Sequence, residues 1–174
     1  ATVASAESTR AFCTGTSGIT TSSCAGATGS DVSFGTLSAS STQSGLSQMG
    51  VGTNGGSGYA ITVNGGTLTS GGNTISALAT QTAAIAGTEQ FGLNLRDNTT
   101  PNVGADPDGA GTGTPSANYN TVDQYRFVTG DTVGSKASAD EFRRFQVSYI
   151  ANIGTATEAG TYTAVMNYIA TATF

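Results

Sequence analysis

The last thirteen residues, YTAVMNYIATATF (162–174), leave few architectures open. Tyr162, Ala164, Met166, Tyr168, Ala170, Ala172 and Phe174 hold the even positions, and all are apolar or aromatic. Thr163, Val165, Asn167, Ile169, Thr171 and Thr173 hold the odd ones and are polar or β-branched. This period-2 pattern predicts a β-strand with its even face on a core. At roughly 3.3 Å per residue it would run on the order of 40 Å, about twice the usual strand. So long a strand, in a chain with little reactive chemistry elsewhere, points to a structural role.

A chain of 174 residues suits one domain with a real core. Only 10% of residues are charged, but tyrosines and phenylalanines recur in alternating runs, which fits a folded domain and not a disordered one. The formal charge of −5, with six basic residues, excludes a nucleic-acid partner. No apolar run approaches the ~18 residues of a membrane span. The sequence starts at Ala1 and not at Met, which fits a mature product after signal-peptide cleavage, or a trimmed chain. The expected location is therefore extracellular or on the cell surface.

Histidine is absent, and with it the usual general base and the commonest metal ligand. No enzyme activity and no cofactor are expected. Cys13 and Cys24 lie in CTGTSGITTSSC. Paired, they close a small loop and stabilise by about 2–3 kcal/mol through the unfolded state, and they imply an oxidising compartment. The alternative is two buried thiols; a two-cysteine metal site lacks the remaining ligands.

In chain order, residues 1–12 read as an extended arm and 13–30 as a cysteine loop. Residues 31–37 (DVSFGTL) read as a short strand with Val32 and Phe34 on one face, and 46–51 as another. Tyr59, Ile61 and Val63 alternate up to Asn64-Gly65-Gly66, a hairpin signal, with Thr67-Leu68-Thr69 returning. Residues 74–86 are read as strand and loop in preference to helix. Phe91, Leu93 and Leu95 alternate. Residues 97–118 hold Pro101, Pro107 and Pro115 in a long loop suited to variation or binding. Residues 119–128 resume as a strand with Tyr125 and Phe127 inward, and ADEF (139–142) reads as a helical turn. Phe145, Val147, Tyr149, Ala151 and Ile153 alternate, and pair antiparallel with 162–174. About eight strands without a convincing helix make an all-β domain, a single β-sandwich with Greek-key connections, the closed barrel being its rival. Its bounds are 13–174, behind the 1–12 arm.

The closing FQVSYIANIGTATEAGTYTAVMNYIATATF resembles the final hairpin of spore-coat-protein-U-like and archaic chaperone–usher pilin domains; VSFGTL looks like their FGTL segment after the first cysteine, and GYAITVNGGTLTSG and FGLNLRDN sit in the expected order. The chain is also similar to uncharacterised secreted β-sandwich proteins of candidate-phylum bacteria. In the pilin domains the cysteines link more distant segments. The resemblance implies an Ig-like, pilin-like sandwich completed by a strand from a neighbouring subunit. The donor would be the arm Ala1, Thr2, Val3, Ala4, Ser5, Ala6, Glu7, Ser8, Thr9, Arg10, Ala11 and Phe12. The groove would be lined by Tyr162, Ala164, Met166, Tyr168, Ala170, Ala172 and Phe174. The implied product is a homopolymeric, pilus-like filament for attachment or biofilm. An unpaired sheet edge does seek a strand, and a head-to-tail contact that does not close makes a fibre. The other reading is a monomeric module binding carbohydrate or cell wall through 97–118.

Remaining candidates are thinner. Asp106 and Asp108 sit in GADPDGAGTG, loosely like a Ca²⁺ loop but without a closing Glu. Glu89, Asp123, Asp140, Glu141 and Glu158 are scattered singly, not as a glycosidase pair, and Lys136 is a lone surface charge. ADEFRR is either an ion-pair patch between subunits or a solvated turn. Asn98-Thr99-Thr100 matches the glycosylation acceptor. The six tyrosines are read as core, with sugar stacking as the alternative.

Overall fold

The computed structural model describes residues 2–4 and 31–173, the first three as backbone only. Ala1, residues 5–30 and Phe174 fall outside, and with them the Cys13–Cys24 pairing and most of the arm. The strands are β1 (Thr2–Ala4), β2 (Gln43–Thr53), β3 (Tyr59–Gly65), β4 (Thr69–Ser70), β5 (Asn73–Thr74), β6 (Gln90–Asn94), β7 (Asn98–Thr99), β8 (Asn102–Val103), β9 (Asp108–Gly109), β10 (Thr114–Pro115), β11 (Thr132–Lys136), β12 (Asp140–Asn152) and β13 (Met166–Ala172). A 3-10 turn covers Ala117–Tyr119. Among the described residues no helix is long and apolar enough to cross a membrane.

Two antiparallel sheets form a β-sandwich. One runs β1-β2-β12-β6 with β9 also on β12; the other runs β10-β11-β3-β13. Alternation explains the core. Met49 and Val51 of β2, Phe145, Val147 and Tyr149 of β12, and Phe91 and Leu93 of β6 face Tyr59, Ile61 and Val63 of β3 and Val133 of β11. Tyr59, Tyr119, Tyr125 and Tyr149 are buried, as the core reading expected. The even positions of β13 are half-buried and its odd positions exposed, again as expected.

Several local expectations give way to long-range pairing. The closing strand is Met166–Ala172, shorter than 162–174, because its partner β3 ends at Gly65 and Thr163 bonds Thr69 instead. β12 and β13 are not a pair: β12 bonds β2, β6 and β9, while β13 bonds β3 in the opposite sheet. Asn64-Gly65 makes no hairpin, since β3 is taken on both edges by β11 and β13; the tight turn is Gly71-Gly72, joining β4 to β5. ADEF opens β12 and is not helical. Residues 31–37 form no strand, although Val32 and Phe34 do pack inward.

Burial pushes the hydroxyl of Tyr59 up, helped by Asp140; it acts likewise on Tyr125, Tyr149 and Tyr168, and on Tyr119, which reaches about 12 with Asp131 at its hydroxyl. A raised folded value means that the unfolded chain loses its proton first. These tyrosines therefore stabilise fully below about pH 10, and that contribution is lost as pH rises through the folded values. Tyrosinate absorbance on alkaline titration should lag for these five residues and then rise together with loss of the fold. A smooth titration beginning near pH 10 without unfolding would contradict this.

Candidate functional site

β13 is an edge strand whose outer side carries no partner among the described residues. Its hydrogen-bonding parity is set at one end, where the Thr173 amide donates to the Gly58 carbonyl at 2.9 Å. On the far side of β3, Val63 exchanges bonds with Asp131 and Gly130. Even residues of β3 therefore serve β13, and odd residues of β13 serve β3. The N–H and C=O groups of Met166, Tyr168, Ala170 and Ala172 consequently point to the open edge. Their side chains are the same ones that face the sandwich interior.

Beside that edge lies a groove of about 990 Å³. Phe34, Phe91, Leu68, Tyr162, Ala164 and Met166 supply its apolar wall. Phe34 meets Phe91 edge-on with ring centroids 6.5 Å apart. Val32 lies against Gly45, where a Cβ would come within 2.3 Å of its methyl group, so glycine lets 31–37 lie close on β2. A chain of hydroxyls forms a polar spot: Ser47 Oγ lies 2.9 Å from Tyr149 Oη, which lies 2.8 Å from Tyr168 Oη. Ser47, Tyr149 and Tyr168 all line the groove, and Asp31 and Glu158 are the charged residues on its lining.

Elsewhere the loop 97–118 is pinned. Asp106 pairs with Arg96 at 2.7 Å, and that guanidinium holds its carboxyl below the ordinary range. Asp108 pairs with Arg144. The two aspartates thus face different arginines, and no group of three or more His, Cys, Asp or Glu among the described residues is placed to hold a metal. Asp123, at φ 60, accepts from the amides of Thr99 (2.8 Å) and Thr100 (2.9 Å). Asn98 is buried; its Nδ2 donates to Asn94 Oδ1, Arg96 O and Val103 O, so the folded chain has no free acceptor nitrogen there. In ADEFRR, Asp140 and Arg143 bind residues 111–113, and Arg144 binds Asp108, all within the subunit. Glu89 accepts from Thr157 at 2.7 Å, far along the chain from Asp140.

The structure brings together Tyr162, Ala164, Met166 and Tyr168 of the expected groove set; Ala170 packs on the core beside them, Ala172 ends β13, and Phe174 lies outside the described residues. Sequence reasoning missed the opposite wall, Phe34, Phe91 and the Ser47–Tyr149 contact. Their only signal was inward alternation, which names a face but not a neighbour. Scans against protein-family models, curated proteins and solved structures each return no match.

Proposed function

We propose that this chain is a structural, non-enzymatic subunit of an extracellular filament, in which the arm of one copy (residues 1–12) adds as a strand to β13 of the next. The observation that supports this is the coincidence of an open β13 edge with an apolar groove beneath it. Such an edge offers main-chain bonds for affinity and pockets for side chains. Extended, the arm reaches about 40 Å, enough to run the length of β13. Arg10, its one basic side chain, complements Asp31 and Glu158 on the groove. Arm and groove are different surfaces, so the contact is heterologous and propagates.

In the single chain, Thr2–Ala4 pair with Gly50–Gly52 on the edge of β2. Strand addition in trans must open those three residue pairs, each hydrogen bond being worth about 0.5–1.5 kcal/mol net. The β13 edge offers the main-chain groups of four residues plus burial in the groove against that cost. The loop 97–118 gives the polysaccharide-binding alternative less support, because Asp106 and Asp108 are already engaged. Electron microscopy of the purified protein should show fibres. Deleting residues 1–12 should leave monomers that bind a synthetic peptide of those residues. Intact protein that stays monodisperse at every concentration, or fibres that survive the deletion, would overturn the proposal.

A further inference from the structure

We infer that the Ser47–Tyr149–Tyr168 hydroxyl chain is the register key of the groove, and that the residue it selects is Ser8 of a second copy's arm. This rests on the strand-addition reading above. Three hydroxyls carry three protons, and the two contacts between them use two. Whichever way the chain is oriented, one O–H of the three is left over, and Ser47, Tyr149 and Tyr168 all line the groove. Ser47 and Tyr149 are only 6% and 5% exposed. In the open groove water can take the spare proton. Once a strand fills the groove the water leaves, and an unmatched O–H costs about 1–3 kcal/mol. The nearby wall of Phe34, Phe91, Leu68 and Met166 is apolar, so one acceptor is wanted at one place. A single polar position in an apolar seam sets alignment in coiled coils by the same energetics.

The arm has two faces. The odd one carries Val3, Ser5, Glu7 and Thr9; the even one carries Ala4, Ala6, Ser8 and Arg10. Turning the odd face inward would put the Glu7 carboxylate among apolar groups, with Asp31 and Glu158 the charged residues among the described lining. The even face instead places two alanines on the apolar wall, a hydroxyl at Ser8, and Arg10 toward the acidic residues. Ser8 supplies the acceptor, and a slip by two residues puts Ala6 or Arg10 in its place.

The test measures binding of a fluorescent peptide of residues 1–12 to the full chain, held below its assembly concentration. The peptides are compared on the same chain, so its own arm competes equally within each comparison. The peptide with Ser8→Ala should bind about tenfold more weakly, and the peptide with Ser5→Ala within about twofold of the parent. On the full chain carrying Ser47→Ala, Tyr149→Phe and Tyr168→Phe, nearly volume-conserving changes that remove all three hydroxyls and whose folding is checked by circular dichroism, the parent and Ser8→Ala peptides should bind alike. Equal binding of both peptides to the unaltered chain overturns the key while strand addition stands. A loss confined to Ser5→Ala overturns the choice of face and of Ser8. If the parent peptide does not bind at all, the strand-addition reading itself fails and the key falls with it.

Discussion

Ala170→Pro should leave the subunit folded and abolish its assembly, whereas Ile169→Pro, one residue earlier, should damage the fold itself. The contrast follows from parity alone. The Ile169 amide lies on the β3 side of β13, with the bonds that close the four-stranded sheet. Proline there removes a ladder bond, and the expected loss is roughly 2–4 kcal/mol of stability. The Ala170 amide points to the edge that no described strand covers, and proline is tolerated on an edge whose N–H faces solvent. Its side chain is half-buried and small, so the ring replaces little packing. An incoming strand would meet a position with no donor and a protruding ring. Sedimentation should therefore show Ala170→Pro as monomer at concentrations where the parent sediments as fibre, with urea midpoints that nearly coincide. Normal fibres from Ala170→Pro would mean that β13 is not the acceptor edge. Unfolding by Ala170→Pro to the same degree as Ile169→Pro would mean that the parity is wrong.

How much of this was legible beforehand depends on the range of the interaction. Alternation in β13, β12 and β3 named which side chains face inward, because side-chain period belongs to one strand and needs no partner. It could not name the partner: Tyr149 and Tyr168 do meet, but across the sandwich through their hydroxyls and not as neighbours in one sheet. Asn64-Gly65 failed as a turn for a related reason. Its local preference is worth little against the two strands that bond β3 along both edges. The acceptor pattern at Asn98 was correctly read as a pattern, but its amide is spent on Asn94 and two carbonyls, a fate no spacing encodes. The open edge of β13 is a property of the whole topology, and only the resemblance, not the pattern, pointed toward it.

Asp140→Ala should be among the most destabilising single changes in the chain, by about 3–5 kcal/mol, a large part of the 5–15 kcal/mol typical of a domain. Asp140 is buried, and every contact it makes is to a donor. Oδ1 accepts from the Thr112 amide at 2.6 Å; Oδ2 accepts from the Gly113 amide and the Tyr59 hydroxyl, both at 3.0 Å. Arg143 completes the clamp from the other side, donating to the carbonyls of Gly111 and Gly113. The loop can come this close because Gly113 lacks a side chain; a Cβ there would lie 2.0 Å from the Tyr59 hydroxyl oxygen. Alanine at 140 strands two amides and a hydroxyl at once. Asparagine keeps an acceptor on one side only, so it should fall between. Burial works against the charge on Asp140, but the Thr112 amide, the Tyr59 hydroxyl and the Gly113 amide outweigh it and hold the carboxyl below the ordinary range. A lowered folded value means that the unfolded chain takes up the proton first. This stabilisation is therefore complete above about pH 4 and is lost as pH falls below that, through the folded value. Urea midpoints of parent and Asp140→Ala should thus differ widely at neutral pH and converge in acid. A difference under about 1 kcal/mol at neutral pH, or one that does not shrink in acid, would show that the charge on Asp140 is not what holds residues 111–113 to β12.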